Sequence, residues 1–332
     1  MKSTTWIISA AVAATMVGSI AHADAMKFAT AAPNGTPWVT HYEKSAENLA
    51  ANSDGALTME VFGGGQLGAE VETIKQTARG RLDAGNFSVT AAAVVVPEVN
   101  MLVSPFFWDS FEQADCALDN HLLPVFDELF EARGLKIIQW TELGWQILFS
   151  KEPVTSVEQA DGFKMRVAPA KNADLLWRGV GAAGVPLPFA EVASSLQTGI
   201  VDGGELPTIS YIATGLHKVA PHMTRTNHIY QPSVTLMSLK TWKKMSAEEQ
   251  ETFMSSIESS AALRTSVRGA ISFFEGKMQE EGGTIHDLSD EARTAWAAKF
   301  THDMQQELID SVGGDSQRVF DEVVAARAAC SG

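Results

Sequence analysis

Residues 57–89 read LTMEVFGGGQLGAEVETIKQTARGRLDAGNFSV. Leu57, Met59 and Val61 alternate with Thr58 and Glu60, the period of two that turns one face of a strand to a core. The glycine turn Gly63–Gly68 follows, and residues 69–79 (AEVETIKQTAR) predict a helix. Residues 82–89 (LDAGNFSV) are the next strand. Strand, helix and strand in succession predict an α/β fold with a largely parallel sheet.

The same alternation extends in both directions. Met26–Ala31 is a short strand, and Asn34-Gly35-Thr36-Pro37 turns into a helix over 38–51. Pro37 suits the first helical position, where its missing N–H costs nothing. After residue 135, Lys136–Thr141, Gln146–Ser150, Phe163–Val167 and Val185–Leu187 read as strands, with helices near 171–180 and at 190–198. From Ser246 the texture changes. Ser246-x-x-Glu249 is a capping box, no proline occurs up to Glu281, and Gly282-Gly283 is a stop signal. A continuous helix of that length would measure on the order of 50 Å. That exceeds one small domain, so the helix is expected to bridge two. Helices over 290–311 and 316–329 complete the reading. The 332 residues suit about two domains, and no flexible linker separates them. The expected division is 26–145 with 235–275 in one lobe, and 146–234 with 276–332 in the other.

The 25 Lys+Arg against 40 Asp+Glu give a net charge of −15. Such an excess argues against nucleic acid and against an anionic membrane surface as partners. Lys2, the uncharged run 6–20 and the small residues Ala21, Ala23 and Ala25 read as a signal peptide over the first 25 residues. Cleavage is expected near Ala23–Ala25, because the run falls short of the roughly 20 residues that span a bilayer. The mature chain is therefore expected in the periplasm, soluble and without membrane insertion. Cys116 and Cys330 are too few for a disulfide scaffold or a cysteine-based zinc site, and that compartment permits them a disulfide.

Chemistry is harder to find. Gly63–Gly68 satisfies G-x-G-x-x-G, which would make the chain an exported nucleotide-dependent oxidoreductase. The loop follows the second strand rather than the first, and Asp83 comes too early for a ribose contact, so a plain strand-to-helix turn is the simpler reading. His217, His222 and His228 lie within twelve residues but lack metal-ligand spacing and any acidic or cysteine partner between them, so they read as surface or capping histidines. No G-x-S-x-G elbow is present. Nothing commits the chain to catalysis, and no enzyme activity is expected. On Gly162-Phe163-Lys164-Met165-Arg166-Val167, Lys164 and Arg166 share one face. Arg166 has two readings. At the end of a parallel strand it would clamp a carboxylate with two hydrogen bonds, and on an edge strand it would serve a structural ion pair.

Several blocks resemble one known family in order and spacing. They are Phe62–Gly68, Gly80-Arg81-Leu82-Asp83, Pro105-Phe106-Phe107, Asp161–Val167, Pro188–Val192, Leu196–Gly203 and Asn227-His228. The chain is identified as a member of the DctP family, the periplasmic substrate-binding proteins of tripartite ATP-independent periplasmic (TRAP) transporters. The resemblance implies a two-lobe, type II-like binding protein with a long interdomain helix. Its lobes close on a small organic acid, which it delivers to membrane subunits. A sensor-type binding protein is the alternative within the same fold. The resemblance further implies that Arg166 pairs with the ligand carboxylate and that Phe189 walls the cleft. Gln66, Glu70 and Ser88 would supply polar contacts from the first lobe.

Where relatives often read D-G-x-E-N, this chain has Asp202-Gly203-Gly204-Glu205-Leu206, so a second carboxylate anchor is expected from Thr208 or Tyr211, beside Glu205. Trp145 stands where many relatives carry arginine. Losing that cation and gaining an indole favours a ligand with an apolar or cationic portion. Trp38 and His41 lie where they would add to that wall, or else pack in the lobe core. A monomer without cofactor or metal completes the expectation.

Overall fold

The computed structural model describes residues 25–169, 173 and 175–331. The expected signal peptide and its cleavage site fall outside these residues, apart from Ala25, as does part of the helix expected near 171–180. The opening units form as the periodicity requires: β1 (Met26–Thr30), α1 (Pro37–Asn52), β2 (Met59–Phe62), α2 (Glu70–Ala78) and β3 (Ala84–Ser88). β1 pairs in parallel with both β2 and β3.

Beyond α3 (Phe111–Ala117), the two strands expected at 136–141 and 146–150 are a single strand, β4 (Leu135–Ser150). Register shifts at Ile137/Gln139 and at Glu142/Gly144 interrupt its pairing, and Gly144 sits at φ 103°. Bulges of this kind bend a strand without ending it. Residues 135–145 pair with β9 (Tyr230–Ser238). Residues 146–150 pair instead with β7 (Gly203–Pro207) and β8 (His222–Arg225). With β5 (Lys164–Val167) and β6 (Ala183–Pro186) the order is β2-β1-β3-β9-β4-β7-β5-β6, and β10 (Thr284–Asp287) pairs with β8 at the side. One strand thus joins two sheets.

The helix expected from 246 to 281 is broken. α4 (Ala247–Ser256) ends at Ile257, and α5 (Ser260–Glu280) restarts on the Ser259 N-cap, whose hydroxyl accepts from Ala262 N–H. No glycine or proline marks the break; tertiary partners impose it. Glu258 N–H donates to Ser45 Oγ at 3.0 Å, and Asn48 donates to the Ser256 carbonyl and to Glu258 Oε1. Gln139 donates to the Glu258 carbonyl at 3.2 Å. Side chains of α1 and β4 take the groups that a continuous helix would have used. α5 alone is about 30 Å long and packs on α1, on β4 and on β10. Likewise, the helix expected over 290–311 is two, Asp290–Ala297 and α6 (His302–Val312), the second capped by Thr301.

The C-terminal end does not follow the expected grouping of 276–332 with the second sheet. Leu308 and Ile309 of α6, with Val319, Val323 and Ala326 of α7 (Ser316–Ala329), are buried in one cluster with Phe87 and Trp140 of the first sheet and Phe126 of the helix Leu123–Glu131. A disulfide between Cys116 and Cys330, 214 residues apart in sequence, fastens the end of α7 to α3. Residues 230–234, expected in the second lobe, pair within the first sheet as part of β9.

His41 lies beside the helix break, buried, edge-on to Tyr42, and with Nε2 3.5 Å from Gln139 Nε2. Burial drives its pKa down to about 4, opposed only in part by the charge and backbone of Glu258. The unfolded chain protonates this ring near pH 6.5 while the folded chain resists until about pH 4. Stability from this group is therefore complete above pH 6.5 and is lost as pH falls through about 4.

Two outcomes are expected. Replacing both cysteines by serine should lower unfolding stability by about 2–5 kcal/mol, because the bond closes a very long loop in the unfolded chain; urea titration of the oxidised parent and the variant measures it, and equal midpoints would refute the contribution. Between pH 7.5 and 4.5 the parent should lose on the order of 2–3 kcal/mol more than His41→Gln; parallel losses in the two proteins would show that His41 is not the titrating group.

Candidate functional site

The topology directs two strand ends at one place. β3 is antiparallel to β9, and β9 to β4, so the carboxyl end of β3 points at the bend in β4. β5 is parallel to β7, which is antiparallel to β4, so the carboxyl end of β5 points there from the other sheet. Ligands in open α/β folds lie outside the carboxyl ends of strands. Arg166, Ser88 and Trp145 all lie at this crossing.

Arg166 is not on an edge strand. β5 lies between β6 and β7, and the Arg166 side chain is only 4% exposed, whereas Lys164 on the same face is exposed. Its Nε donates to the Leu187 carbonyl at 3.1 Å and its Nη1 to the Glu205 carbonyl at 3.3 Å. These bonds orient the guanidinium without neutralising it. Among the described residues it forms no ion pair with a carboxylate. Burial lowers its pKa to about 10, and the charge of Glu205 opposes the shift. The guanidinium remains charged at neutral pH and is held among neutral carbonyls.

Glu205 has a different task from the one expected. Its Oε2 accepts from Trp177 Nε1 and from His228 Nε2, each at 2.8 Å, and His228 Nδ1 is 2.7 Å from Thr226 Oγ1. All four side chains are buried. The carboxylate serves this internal network behind the strand, and spacing alone gave no sign that Trp177 and His228 would meet on it. Leu206 is buried in the apolar cluster of the second sheet. Tyr211 offers no second anchor: it stacks on Phe149 with ring centroids 5.0 Å apart, and its hydroxyl donates to the Ala220 carbonyl at 2.6 Å. Burial raises its pKa, so it stays neutral. Thr208 is buried at the start of the helix Thr208–Ala213.

Trp38 is likewise a core residue. It is fully buried, packs with Ile147, Phe149 and Leu263, and its indole N–H donates to the Glu142 carbonyl at 2.7 Å. Its only polar atom is therefore committed to the bend of β4. His41 is buried as described above, away from the strand ends.

Glu70 and Ser88 do come together. Ser88 N–H donates to Glu70 Oε1 at 2.6 Å and Ser88 Oγ–H to Glu70 Oε2 at 2.8 Å, while Ser88 Oγ also accepts from Ala91 N–H. Burial raises the Glu70 pKa against these bonds. Gln66 is exposed on the glycine turn. That turn holds no open phosphate cradle: Gly64, Gly65, Gln66 and Gly68 N–H groups donate to the carbonyls of Ala32, Thr30, Gly63 and Gly65. Glu70 and Glu72, in the first turn of α2, place negative charge where a pyrophosphate would sit.

Trp145 is half-buried, with ring centroids 5.8 Å from Phe111 and 5.6 Å from Tyr230. Phe189 is half-buried against the apolar cluster of the second sheet. Next to Trp145, Gln146 donates to Gln231 and Gln231 to Thr90, a polar row across the bend that sequence spacing did not reveal. A groove of about 460 Å³ between α1 and α5, near Phe273, has His41 in its lining but none of Arg166, Phe189, Trp145, Glu70, Gln66 or Ser88.

Residues 28–310 match the family described as bacterial extracellular solute-binding protein, family 7, DctP. The chain is 24% identical over 307 residues to the C4-dicarboxylate-binding periplasmic protein DctP of Rhodobacter capsulatus, covering 90% of this chain and 91% of that one. It is 24% identical over 337 residues to the ectoine-binding periplasmic protein TeaA of Halomonas elongata, covering 98% and 97%. Among solved structures it is similar to the sugar acid binding protein DctPAm of Advenella mimigardefordensis in complex with galactonate, with TM-score 0.87 and 25% identity over 92% of this chain and 98% of that one. The match runs from β1 into α6 and so takes in both sheets: the chain belongs to the DctP family of bacterial extracellular solute-binding proteins, the binding components of TRAP transporters.

Proposed function

We propose that this solute-binding protein captures a small organic acid at the bend of β4, holds its carboxylate on Arg166, and delivers it as a monomer to TRAP membrane subunits without chemical change. One observation carries the reading. A charged guanidinium sits 4% exposed, oriented by two carbonyls and paired with no carboxylate of the described residues. Burying a charge is unfavourable unless a counter-charge meets it, and a planar donor fork fits a carboxylate. The relatives support the same class, since C4-dicarboxylates and galactonate have a carboxylate in common.

Trp145, braced by Phe111 and Tyr230, and Phe189 supply aromatic walls for the rest of the ligand, which favours an acid with an apolar or cationic face. Ser88 and Glu70 face them from the first sheet, joined by Gln66 where the lobes close. We assign β1–β3, β9, residues 135–145 and residues 302–329 to the first lobe. Residues 146–150, β5–β8, β10 and 290–297 form the second, and α5 spans both. Release of the acid requires the lobes to part about the bend of β4.

Native mass spectrometry of the undenatured protein identifies the acid, and calorimetric titration of variants with it tests the role of Arg166. Arg166→Lys keeps the charge but loses the fork, and should weaken binding. Arg166→Ala should weaken it more, by about 2–5 kcal/mol, or roughly thirtyfold to several thousandfold. An Arg166→Ala protein that binds within threefold of the parent would overturn the assignment.

A further inference from the structure

One pair of histidines has no part in acid capture. His217 is bonded to Glu281 and His228 to Glu205, but His222 meets a residue 64 positions away, His286. β8 and β10 run parallel with Thr284 opposite His222 and His286 opposite Thr224, which puts both histidines on one face of the pair. His222 Nδ1 is 3.1 Å from His286 Nε2, with the rings 36° apart in plane. Both side chains are partly exposed, and among the described residues β10 is paired only with β8.

The separation matches that of two ligands on one ion. Nitrogens each about 2.05 Å from a metal stand roughly 2.9 Å apart at 90° and roughly 3.3 Å apart at the tetrahedral angle. We propose that His222 and His286 form a bidentate site for a divalent transition-metal ion of the copper, nickel and zinc class, with water completing its shell.

Backbone pairing of the two strands sets the positions of both rings before any ion arrives, which lowers the cost of ordering them. His286 is kept neutral by burial and by the neighbouring ring, against the pull of Asp287. On binding, the proton now lying between the two nitrogens moves to the far nitrogen of its own ring, freeing both lone pairs. Asp287 supplies no third ligand, since its carboxylate pairs with Arg225 at 2.8 Å, and Arg225 is also held by Glu275. With imidazole donors alone, the site should ignore magnesium and calcium, which take oxygen ligands. The other metal-like grouping, Cys116, His121 and Cys330, offers no such site, because both sulfurs are bonded to each other.

The test uses the mature, untagged, chelator-washed chain, titrated calorimetrically with copper, nickel or zinc chloride. One equivalent should bind, with copper tighter than nickel or zinc, as imidazole sites generally order them. Copper should raise Tm and show nitrogen coupling in its electron paramagnetic resonance spectrum. His222→Gln and His286→Gln should each weaken copper at least tenfold, and the double variant should lose the equivalent altogether. His121→Gln should bind as the parent does, and circular dichroism checks that each variant is folded. Absence of binding at 1 mM metal would overturn the proposal, as would a folded double variant that keeps the copper equivalent.

Discussion

Everything in this molecule hangs on β4 serving two sheets. Its backbone groups bond to β9 over 135–145 and to β7 and β8 over 146–150. A strand can change partners only where its direction changes, and the change falls at Glu142–Gly144. Three side chains converge there. Glu142 is fully buried; its carboxylate accepts from Arg268 at 2.7 and 2.9 Å and from Tyr230 at 3.0 Å, and its carbonyl accepts from Trp38. α1, α5 and β9 thereby grip one residue. Burial pushes the Glu142 pKa up and the Arg268 partner pulls it down, and the bonds to Arg268 and Tyr230 satisfy both of its oxygens.

Three arginines of this region show that the partner a guanidinium meets, more than its depth, sets what it does. Arg268 donates from Nε and Nη2 to Glu142 and from Nη2 also to Asp115, and lies over the Phe111 ring at 4.2 Å. Its neighbour Arg264 is held by Asp119. Such pairs, complete without any ligand, anchor α5 to α3 and to the turn that follows it. Arg166 is buried as deeply as Arg264, but its hydrogen-bond partners among the described residues are the carbonyls of Leu187 and Glu205. At similar burial Arg264 is closed by acids while Arg166 is oriented by backbone carbonyls, so among the described residues its charge is left without an ion pair.

Local pattern was enough for β1 through β3 and for placing Arg166 on a strand, because alternation and glycine stops are encoded within a few residues. Distant partners decided the rest. The break at Ile257–Ser259 depends on Ser45, Asn48 and Gln139, and none of these is visible from the helix's own composition. The continuity of β4 depends on β9 bridging what reads as a turn at 142–145. Among the site residues, Trp38 and Tyr211 carry the aromatic signature of a binding wall, yet their polar atoms are taken by carbonyls inside the core. Glu205 is an acid at a strand end, and only the approach of Trp177 and His228 shows that it faces inward. Resemblance brought those residues to attention, and partner chemistry reassigned them.

The bond between Cys116 and Cys330 also sets a timetable. Its two halves are 214 residues apart, and the strands β4 to β10 lie between them. At synthesis rates of about 5–20 residues per second, Cys116 exists for roughly 10–40 s before its partner is made. During that interval it is the one cysteine yet made of the chain's two. Covalent closure of the first sheet's core therefore cannot precede synthesis of the whole second sheet.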